Sequence, residues 1–227
     1  MTRTTLPESI PDPDLLPLAE STSERESGQC FLCDPSEDLV FAESENFIAM
    51  LGLGPIVEGY TILASKGHVP SMFDLPDWQL PELAEFGSHV RDILRSRWED
   101  PVITEHGRVG LCKERSDDHD GHCFHAHQLL FPAQMDFSSC LDASLFEPIS
   151  ARSFHDARRR CSHLTEYLYY ESPAGSVLVG YAPAELSRQF FRRAAAEAVG
   201  HPQWQSWRDH PRMDVIWSAR QRLTQAA

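Results

Sequence analysis

Residues 121–132 are the stretch that most constrains the fold of this chain. Its second half is apolar and ends in Pro132, which predicts a buried β-strand that stops at this proline. Side chains alternate between the two faces of a strand, so His125, His127 and Leu129 share one face. Burying two neighbouring imidazoles is unfavourable unless they have partners. The pattern is equally consistent with a metal, a phosphate group or a reaction beside the histidines and with a pair of hydrogen-bonded structural histidines.

Length, hydropathy and charge exclude several classes of protein. The chain has 227 residues, of which 41% are hydrophobic, enough for one large domain or for one domain with an appendage. We expect no membrane span, because no apolar run approaches the required length. The N-terminus lacks the features of a signal peptide, so a cytoplasmic location is expected. A formal net charge of -14 argues against nucleic acid as the main ligand.

One pair among the six cysteines has the spacing of a metal or redox motif. Cys30 and Cys33 form the Cys-x-x-Cys. Without a secretory signal, such a pair is more typical of metal binding or redox chemistry than of a disulfide framework. The other cysteines are scattered and expected to be mostly inert: Cys112, Cys123, Cys140 and Cys161.

The first part of the chain predicts several strands and one long helix. Residues 1–26 are rich in Pro, Ser, Thr and Glu, and we expect an extended or disordered N-terminal arm. Apolar and β-branched runs predict strands at Leu39–Ala42, Phe47–Leu51, Gly59–Ala64 and Pro101–Glu105. Asp77–Trp98 has helical spacing of its apolar residues, with Asp77 as the cap. Residues 108–121 are polar and read as an exposed loop.

The pattern changes after Pro132. It predicts a basic helix, a β-hairpin and two further helices, at Phe154–Cys161, Tyr167–Tyr170 with Val177–Tyr181, Ala184–Val199 and Met213–Leu223. Arg188, Arg192 and Arg193 lie near the start of the helix predicted at Ala184–Val199. Such arginines usually form a solvated face, but they can also meet an anionic ligand.

Four segments, taken in order, resemble the histidine triad (HIT) superfamily of nucleotide hydrolases and transferases. They are Cys30-x-x-Cys33, the run from Gly59 to His68, Glu105-His106-Gly107, and the run from His125 to Pro132. The similarity covers about Cys30 to Pro132. More loosely, 187–193 and 204–208 are similar to the C-terminal extension of longer HIT-like proteins. The proline usual in the family's upstream strand is replaced here by Ala64-Ser65.

The resemblance implies an α+β fold with a HIT-like antiparallel sheet, flanking helices and a C-terminal extension of helices and a hairpin. It divides the chain into a HIT-like domain at 27–135 and an extension at 136–227 that packs on it. HIT-like proteins commonly pair through a sheet edge, so a homodimer is possible, whereas the longer members can be complete as one chain.

The resemblance also implies a reaction. In the family, the middle histidine of the triad attacks the α-phosphorus of a nucleotide and forms a nucleotidyl-histidine intermediate. Counting back from Pro132 makes His127 the middle position and Leu129 the third, whereas counting from Cys123 makes His125 the middle position. The family's distance from the middle histidine to the closing proline favours His127.

Leu129 is the most serious departure from the family pattern, because leucine cannot donate a hydrogen bond to the phosphoryl oxygens. Either another group takes over this role, with Gln128, His106, His122 and Arg188 as candidates, or hydrolysis is weakened. Related uridylyltransferases carry glutamine at this position, so loss of the histidine need not abolish nucleotidyl transfer.

The resemblance assigns the remaining site residues. The candidate catalytic residues are His127, Gln128 and His106. The candidate substrate-binding residues are Glu105, Gly107, Arg188, Gln189 and Arg192. Glu105-His106-Gly107 reads equally well as a substrate contact or as a turn at the end of a strand.

The same resemblance gives the Cys-x-x-Cys a meaning. Zinc-containing HIT-like proteins hold the metal with two cysteines, the histidine that ends the upstream strand and the first histidine of the triad. These positions are Cys30, Cys33, His68 and His125 in this chain. Cys₂His₂ is a normal set for a closed, structural zinc site.

Two alternatives to a nucleotide hydrolase or transferase stay open. A catalytically altered protein that only binds nucleotides is favoured by Leu129. A HIT fold adapted to different chemistry in a specialised pathway is the other, because a fold does not fix a function.

Overall fold

The structure is a computed structural model of the whole chain, and it describes residues 30–108, 125–135, 137, 148–182, 186 and 189–225. The predicted N-terminal arm and most of the predicted loop at 108–121 lie outside the described residues. In the part that is described, no helix is long and apolar enough to cross a membrane.

Eight strands and four α-helices make up the described part of the chain. The strands are β1 (Val40–Glu43), β2 (Phe47–Leu51), β3 (Thr61–Ser65), β4 (Val102–Gly107), β5 (His127–Phe131), β6 (Ile149–Ala151), β7 (Tyr167–Glu171) and β8 (Val177–Tyr181). The helices are α1 (Leu80–Arg97), α2 (Phe154–Cys161), α3 (Phe190–Ala198) and α4 (Met213–Thr224). Short 3₁₀ turns occur at Met72–Asp74, Asp77–Gln79 and Pro202–Gln205.

All eight strands join one antiparallel sheet in the order β1-β2-β3-β5-β4-β7-β8-β6. The predicted α+β class with an antiparallel sheet and flanking helices is therefore confirmed. Pairing of β4 with β7 joins the segments on either side of the predicted boundary at 135/136 in the same sheet. The domain division and the homodimer stay predictions.

The predicted helix at Asp77–Trp98 is present, with a different start. A 3₁₀ turn occupies Asp77–Gln79, and α1 runs from Leu80 to Arg97 with Pro81 in its first turn, where proline is tolerated. Its buried residues follow helical spacing: Leu83, Phe86, Val90 and Leu94. The helix predicted at Ala184–Val199 is described as α3 from Phe190 to Ala198. The described Leu186 and Gln189 lie outside the helix, and 184, 185, 187 and 188 lie outside the described residues.

The two faces of the sheet are covered by different parts of the chain. Phe86 of α1 stacks on Phe47 of β2, which places α1 against one face. On the other face, which carries His127, aromatic contacts connect the sheet to α3. They involve Tyr60, Phe131, Phe137, Tyr170 and Phe191. The C-terminal segment thereby buries the half of this face that lies farther from His127.

Arg192 of α3 fastens the C-terminal segment to the connection between β2 and β3. Its guanidinium donates to the backbone carbonyls of Leu53, Gly54, Trp204 and Gln205 at 2.8–3.3 Å. Only 7% of this residue is exposed, so these carbonyls satisfy a charge that would otherwise be costly to bury. The arginine acts as a structural clamp in this geometry.

Candidate functional site

The four predicted metal ligands come together in space. One ligand atom from each of Cys30, Cys33, His68 and His125 lies within 4.8 Å of all the others, and the group can hold a metal ion. The Nδ1 atom of His125 lies 3.3 Å from Sγ of Cys30 and 3.5 Å from Sγ of Cys33. The Nδ1 atom of His68 lies 3.0 Å from Sγ of Cys33.

These distances fit a tetrahedral metal. Zn–S bonds of about 2.3 Å and Zn–N bonds of about 2.0–2.1 Å place neighbouring ligand atoms roughly 3.6 Å apart. The tautomer of His125 also fits. Its Nε2–H donates to the carbonyl of Ser65 at 2.6 Å, because a carbonyl can only accept, and Nδ1 is left with a lone pair that faces the thiols. Burial, followed by the neighbouring Cys30, raises the pKa of the Cys33 thiol, an effect that a bound cation would reverse.

Local backbone contacts explain why these four residues meet. Cys33 N–H donates to Cys30 C=O at 3.0 Å, which closes a tight turn. Inside that turn Leu32 is buried in the core and anchors it. After β3, the chain stays beside residues 125 and 126, because Ser65 N–H donates to Ala126 C=O at 3.1 Å and Ala126 N–H to Val69 C=O at 2.8 Å. His68 is thereby held next to His125.

His127 begins β5 and lies outside the metal group. Its Nδ1–H donates to the carbonyl of His125 at 2.7 Å, so Nε2 carries the lone pair. Burial lowers the pKa of His127, against the hydrogen bond to the His125 carbonyl, and the nearby rings of His125 and His106 oppose protonation of His127 further. The ring is half-buried. It is therefore a neutral imidazole with its basic nitrogen turned away from the strand backbone.

His106 lies on the same face, on the neighbouring strand. β4 pairs with β5 through Thr104 and Leu129, and continuing this antiparallel register by two residues sets His106 opposite His127. The Nε2–H of His106 donates to the Oε1 atom of Glu166 at 2.8 Å. Glu166 directly precedes β7, so three neighbouring strands contribute to this part of the site.

The predicted third position of the triad, Leu129, is half-buried and packs against the core on the face of His127. Its side chain supplies no hydrogen bond there. Leu129 therefore occupies the position in the sheet at which the resemblance expects the third histidine of the triad.

Three other predicted site residues lie on the opposite face of the sheet. Glu105 is 2% exposed, and its Oε1 atom accepts from Met72 N–H at 2.8 Å. Burial raises the pKa of Glu105 to about 8, despite hydrogen bonds from the Met72 amide and the Tyr167 hydroxyl. Gln128 is buried as well. A Cβ atom on Gly107 would lie 2.1 Å from the Tyr167 ring, so packing alone requires glycine there. The roles predicted for these residues stay predictions.

Of the predicted arginines and glutamine of the C-terminal segment, the structure describes Arg192 and Gln189. Arg192 is the clamp described above. Gln189 precedes α3 without a side-chain capping bond. Arg188 and His122 lie outside the described residues.

Sequence reasoning missed Glu166 and the carbonyl of Ser65. A carbonyl has no sequence signal. Glu166 is an ordinary acidic residue before a strand, and only the pairing of β4 with β7 brings it to His106.

No protein-family model matches the chain, and no curated protein matches it. Solved structures of histidine triad proteins do match. A hypothetical histidine triad nucleotide-binding protein from Sulfolobus tokodaii aligns with 47% of this chain and 71% of its own, at 21% identity and a TM-score of 0.34. A Zn-bound histidine triad family protein from Mycobacterium smegmatis aligns with 47% of this chain and 76% of its own, at 21% identity and a TM-score of 0.35.

A longer protein also matches. Yeast Ap4A phosphorylase in complex with AMP aligns with 72% of this chain and 67% of its own, at 14% identity and a TM-score of 0.41. At such low identities and TM-scores, these likenesses carry no argument about what this chain does. Any assignment of function rests on its own residues.

Proposed function

We propose that this chain is a nucleotidyl hydrolase or transferase that acts through a covalent nucleotidyl-histidine at His127. The observation that carries this proposal is the tautomer of His127. The bond from Nδ1–H to the carbonyl of His125 leaves Nε2 with the lone pair on a half-buried ring. A neutral imidazole held in this way is a competent nucleophile at neutral pH.

The reaction has two steps. The lone pair of His127 Nε2 attacks the α-phosphorus of a phosphoanhydride, phosphoester or phosphoramidate. A P–N bond forms, the bond to the leaving group breaks, and the leaving group departs with the electron pair and takes a proton from solvent. Water or another acceptor then attacks the same phosphorus, the P–N bond breaks, and the proton of the acceptor passes to solvent. As the imidazole becomes positively charged in the intermediate, the carbonyl of His125 stabilises its Nδ1–H.

The four candidate metal ligands lie next to the proposed nucleophile and would fix its position without taking part in the reaction. Cys30, Cys33, His68 and His125 would hold a zinc ion in a closed set of four protein ligands, a structural rather than a catalytic kind of site. When bound, zinc would cross-link the turn at Cys30–Cys33 to the segment that enters β5. His125 would then be fixed on both sides, and its carbonyl would hold His127.

Protein purified without added zinc is expected to contain about one equivalent of metal, as a closed structural site implies. Cys33→Ser and His68→Asn are expected to lose most of it, while the matched Cys161→Ala variant, which removes a buried cysteine outside the group, keeps it. Elemental analysis by plasma mass spectrometry gives the metal content. Metal-free protein with a disulfide between Cys30 and Cys33 contradicts the assignment.

The proposed function is tested by trapping the intermediate. Wild-type protein is incubated with three probes, an α-³²P-labelled nucleoside triphosphate, a dinucleoside polyphosphate and a nucleoside phosphoramidate, then quenched in alkali, where phosphohistidine-type bonds survive. We expect a mass increase of one nucleotidyl group on the peptide that contains His127. A label that maps to His125 would assign the nucleophile to the other register, and protein with neither label nor turnover would refute the proposal.

Leu129 favours a second candidate function. In this candidate, the protein keeps a nucleotide pocket and, without a donor at that position, binds the nucleotide without turning it over. Nucleotide binding measured by calorimetry, with no adduct and no product, is the result that this candidate requires.

A further inference from the structure

Glu166 belongs to the C-terminal segment, and its side chain reaches His106, the residue beside the proposed nucleophile His127. It directly precedes β7, and its backbone carbonyl accepts from Ala182 N–H at 3.2 Å, which extends the pairing of β7 with β8 by one residue pair. Its backbone is thus fixed by the sheet. Its Oε1 atom accepts from His106 Nε2–H at 2.8 Å.

The register of three strands explains this contact. His106 pairs with Leu168 across β4 and β7. Glu166 lies two residues before Leu168 and projects from the same face, so it is the diagonal neighbour of His106, within reach of a long side chain. His127 lies on the other side of His106, as the continued register of β4 and β5 shows. A row of His127, His106 and Glu166 therefore crosses three adjacent strands.

His106 and Glu166 form a hydrogen-bonded pair in poorly hydrated surroundings. The side chains of His106 and Glu166 are 9% and 24% exposed, so both are largely shielded from water. Burial opposes ionisation of each group alone, whereas an ionised carboxylate at hydrogen-bond distance favours the protonated form of an imidazole, and this attraction is stronger in a poorly hydrated environment. His106 would then be a fixed positive charge next to His127.

We propose that Glu166 is a positioning residue for the reaction at His127: its carboxylate holds the imidazolium of His106 beside the transferred phosphoryl group, whose negative charge His106 stabilises. The inference rests on the proposed function and deepens it. It assigns to His106 of β4 and to Glu166, which directly precedes β7, the stabilisation of the phosphoryl oxygens that Leu129 cannot provide. His106 neither gains nor loses a proton in either step, so the balance of the reaction is unchanged.

A double-mutant cycle on the full chain tests this. Adduct formation at His127 is timed by rapid quench with the labelled probe that wild-type protein accepts, for wild type, Glu166→Gln, His106→Asn and the double variant. We expect a loss of about 100-fold in the rate constant for His106→Asn and of tenfold or more for Glu166→Gln, with little change in KM. In the His106→Asn background, Glu166→Gln is expected to leave the rate constant for adduct formation almost unchanged, because Glu166 acts through His106.

Glu171→Gln is the matched control. Glu171 lies at the other end of β7 and pairs with Arg91, and its replacement is expected to leave the rate of adduct formation unchanged. As a readout without turnover, ¹⁵N NMR at neutral pH should show both ring nitrogens of His106 protonated in wild type and a neutral ring in Glu166→Gln. Glu166→Asp, which keeps the charge, should restore part of the rate.

Three results overturn the inference while leaving the proposed function intact: equal rates for wild type and Glu166→Gln, additive losses in the cycle, or a neutral His106 in wild type. Absence of any adduct or turnover in wild type is a different outcome. It refutes the proposed function and this inference with it.

Discussion

Replacing His127 with glycine is expected to abolish the nucleotidyl adduct and to reduce turnover by roughly 10⁴-fold or more, because the variant lacks the attacking nitrogen. The ring is half-buried rather than enclosed, so a small solute can enter the space that it leaves. Free imidazole should therefore restore turnover in proportion to its concentration, without labelling the protein. Initial rates with and without imidazole measure this, alongside mass spectra of the quenched protein.

The control for this experiment is His155→Asn, which alters an exposed histidine of α2. It is expected to keep both the adduct and the turnover of wild type. Full turnover by His127→Gly in the absence of imidazole would show that the chemistry does not pass through this side chain.

Glu105→Gln is expected to stabilise the protein in alkaline solution. The folded protein raises the pKa of this carboxyl from 4.5 to about 8, so at pH 7 it is protonated when folded and ionised when unfolded. Unfolding then releases a proton, and the contribution of Glu105 to the free energy of unfolding falls as pH rises from 4.5 to about 8. The difference between variant and wild type should change by on the order of 5 kcal/mol across this window, in favour of the variant at high pH.

Urea unfolding at a series of pH values measures that difference, and the other carboxylates cancel because both proteins carry them. Glutamine keeps an oxygen that can accept from Met72 N–H. Glu82→Gln is the control of opposite sign. Against the effect of burial, hydrogen bonds from Ser44 and Asn46 lower the pKa of Glu82, so its replacement should destabilise the protein increasingly as pH rises above the folded pKa. A difference for Glu105→Gln that does not vary with pH contradicts an elevated pKa.

Seven of the eight described strands could be predicted because each has a local signal, whereas the short strand β6 was not predicted. The apolar run that ends at Pro132 predicted β5, and β-branched residues before Ser65 predicted β3, which both occur. The boundaries of the helices were less predictable. Asp77 looks like a helix cap in the sequence, but Asp77–Gln79 fold as a 3₁₀ turn, and α1 starts at Leu80 with Pro81 in its first turn.

The functional residues divide in the same way. Spacing and resemblance selected Cys30, Cys33, His68 and His125, and the structure gathers them. Arg192 has a contact that the sequence does not display. Its place among other arginines suggested an anion site, which stays a prediction, and in the structure its guanidinium donates to the carbonyls of Gly54 and Trp204.

The sequence by itself determined the α+β class, the candidate metal ligands and the alternation that separates His127 from its strand neighbours. These depend on local periodicity and on the chemistry of side chains, which a sequence displays. Tertiary structure alone decided that His106 lies between His127 and Glu166, and that Glu105 is sealed in the opposite face. Strand pairing brings together His106 and Glu166, which are 60 positions apart in the sequence, and burial raises the pKa of Glu105. No local sequence pattern indicates the pairing or the burial.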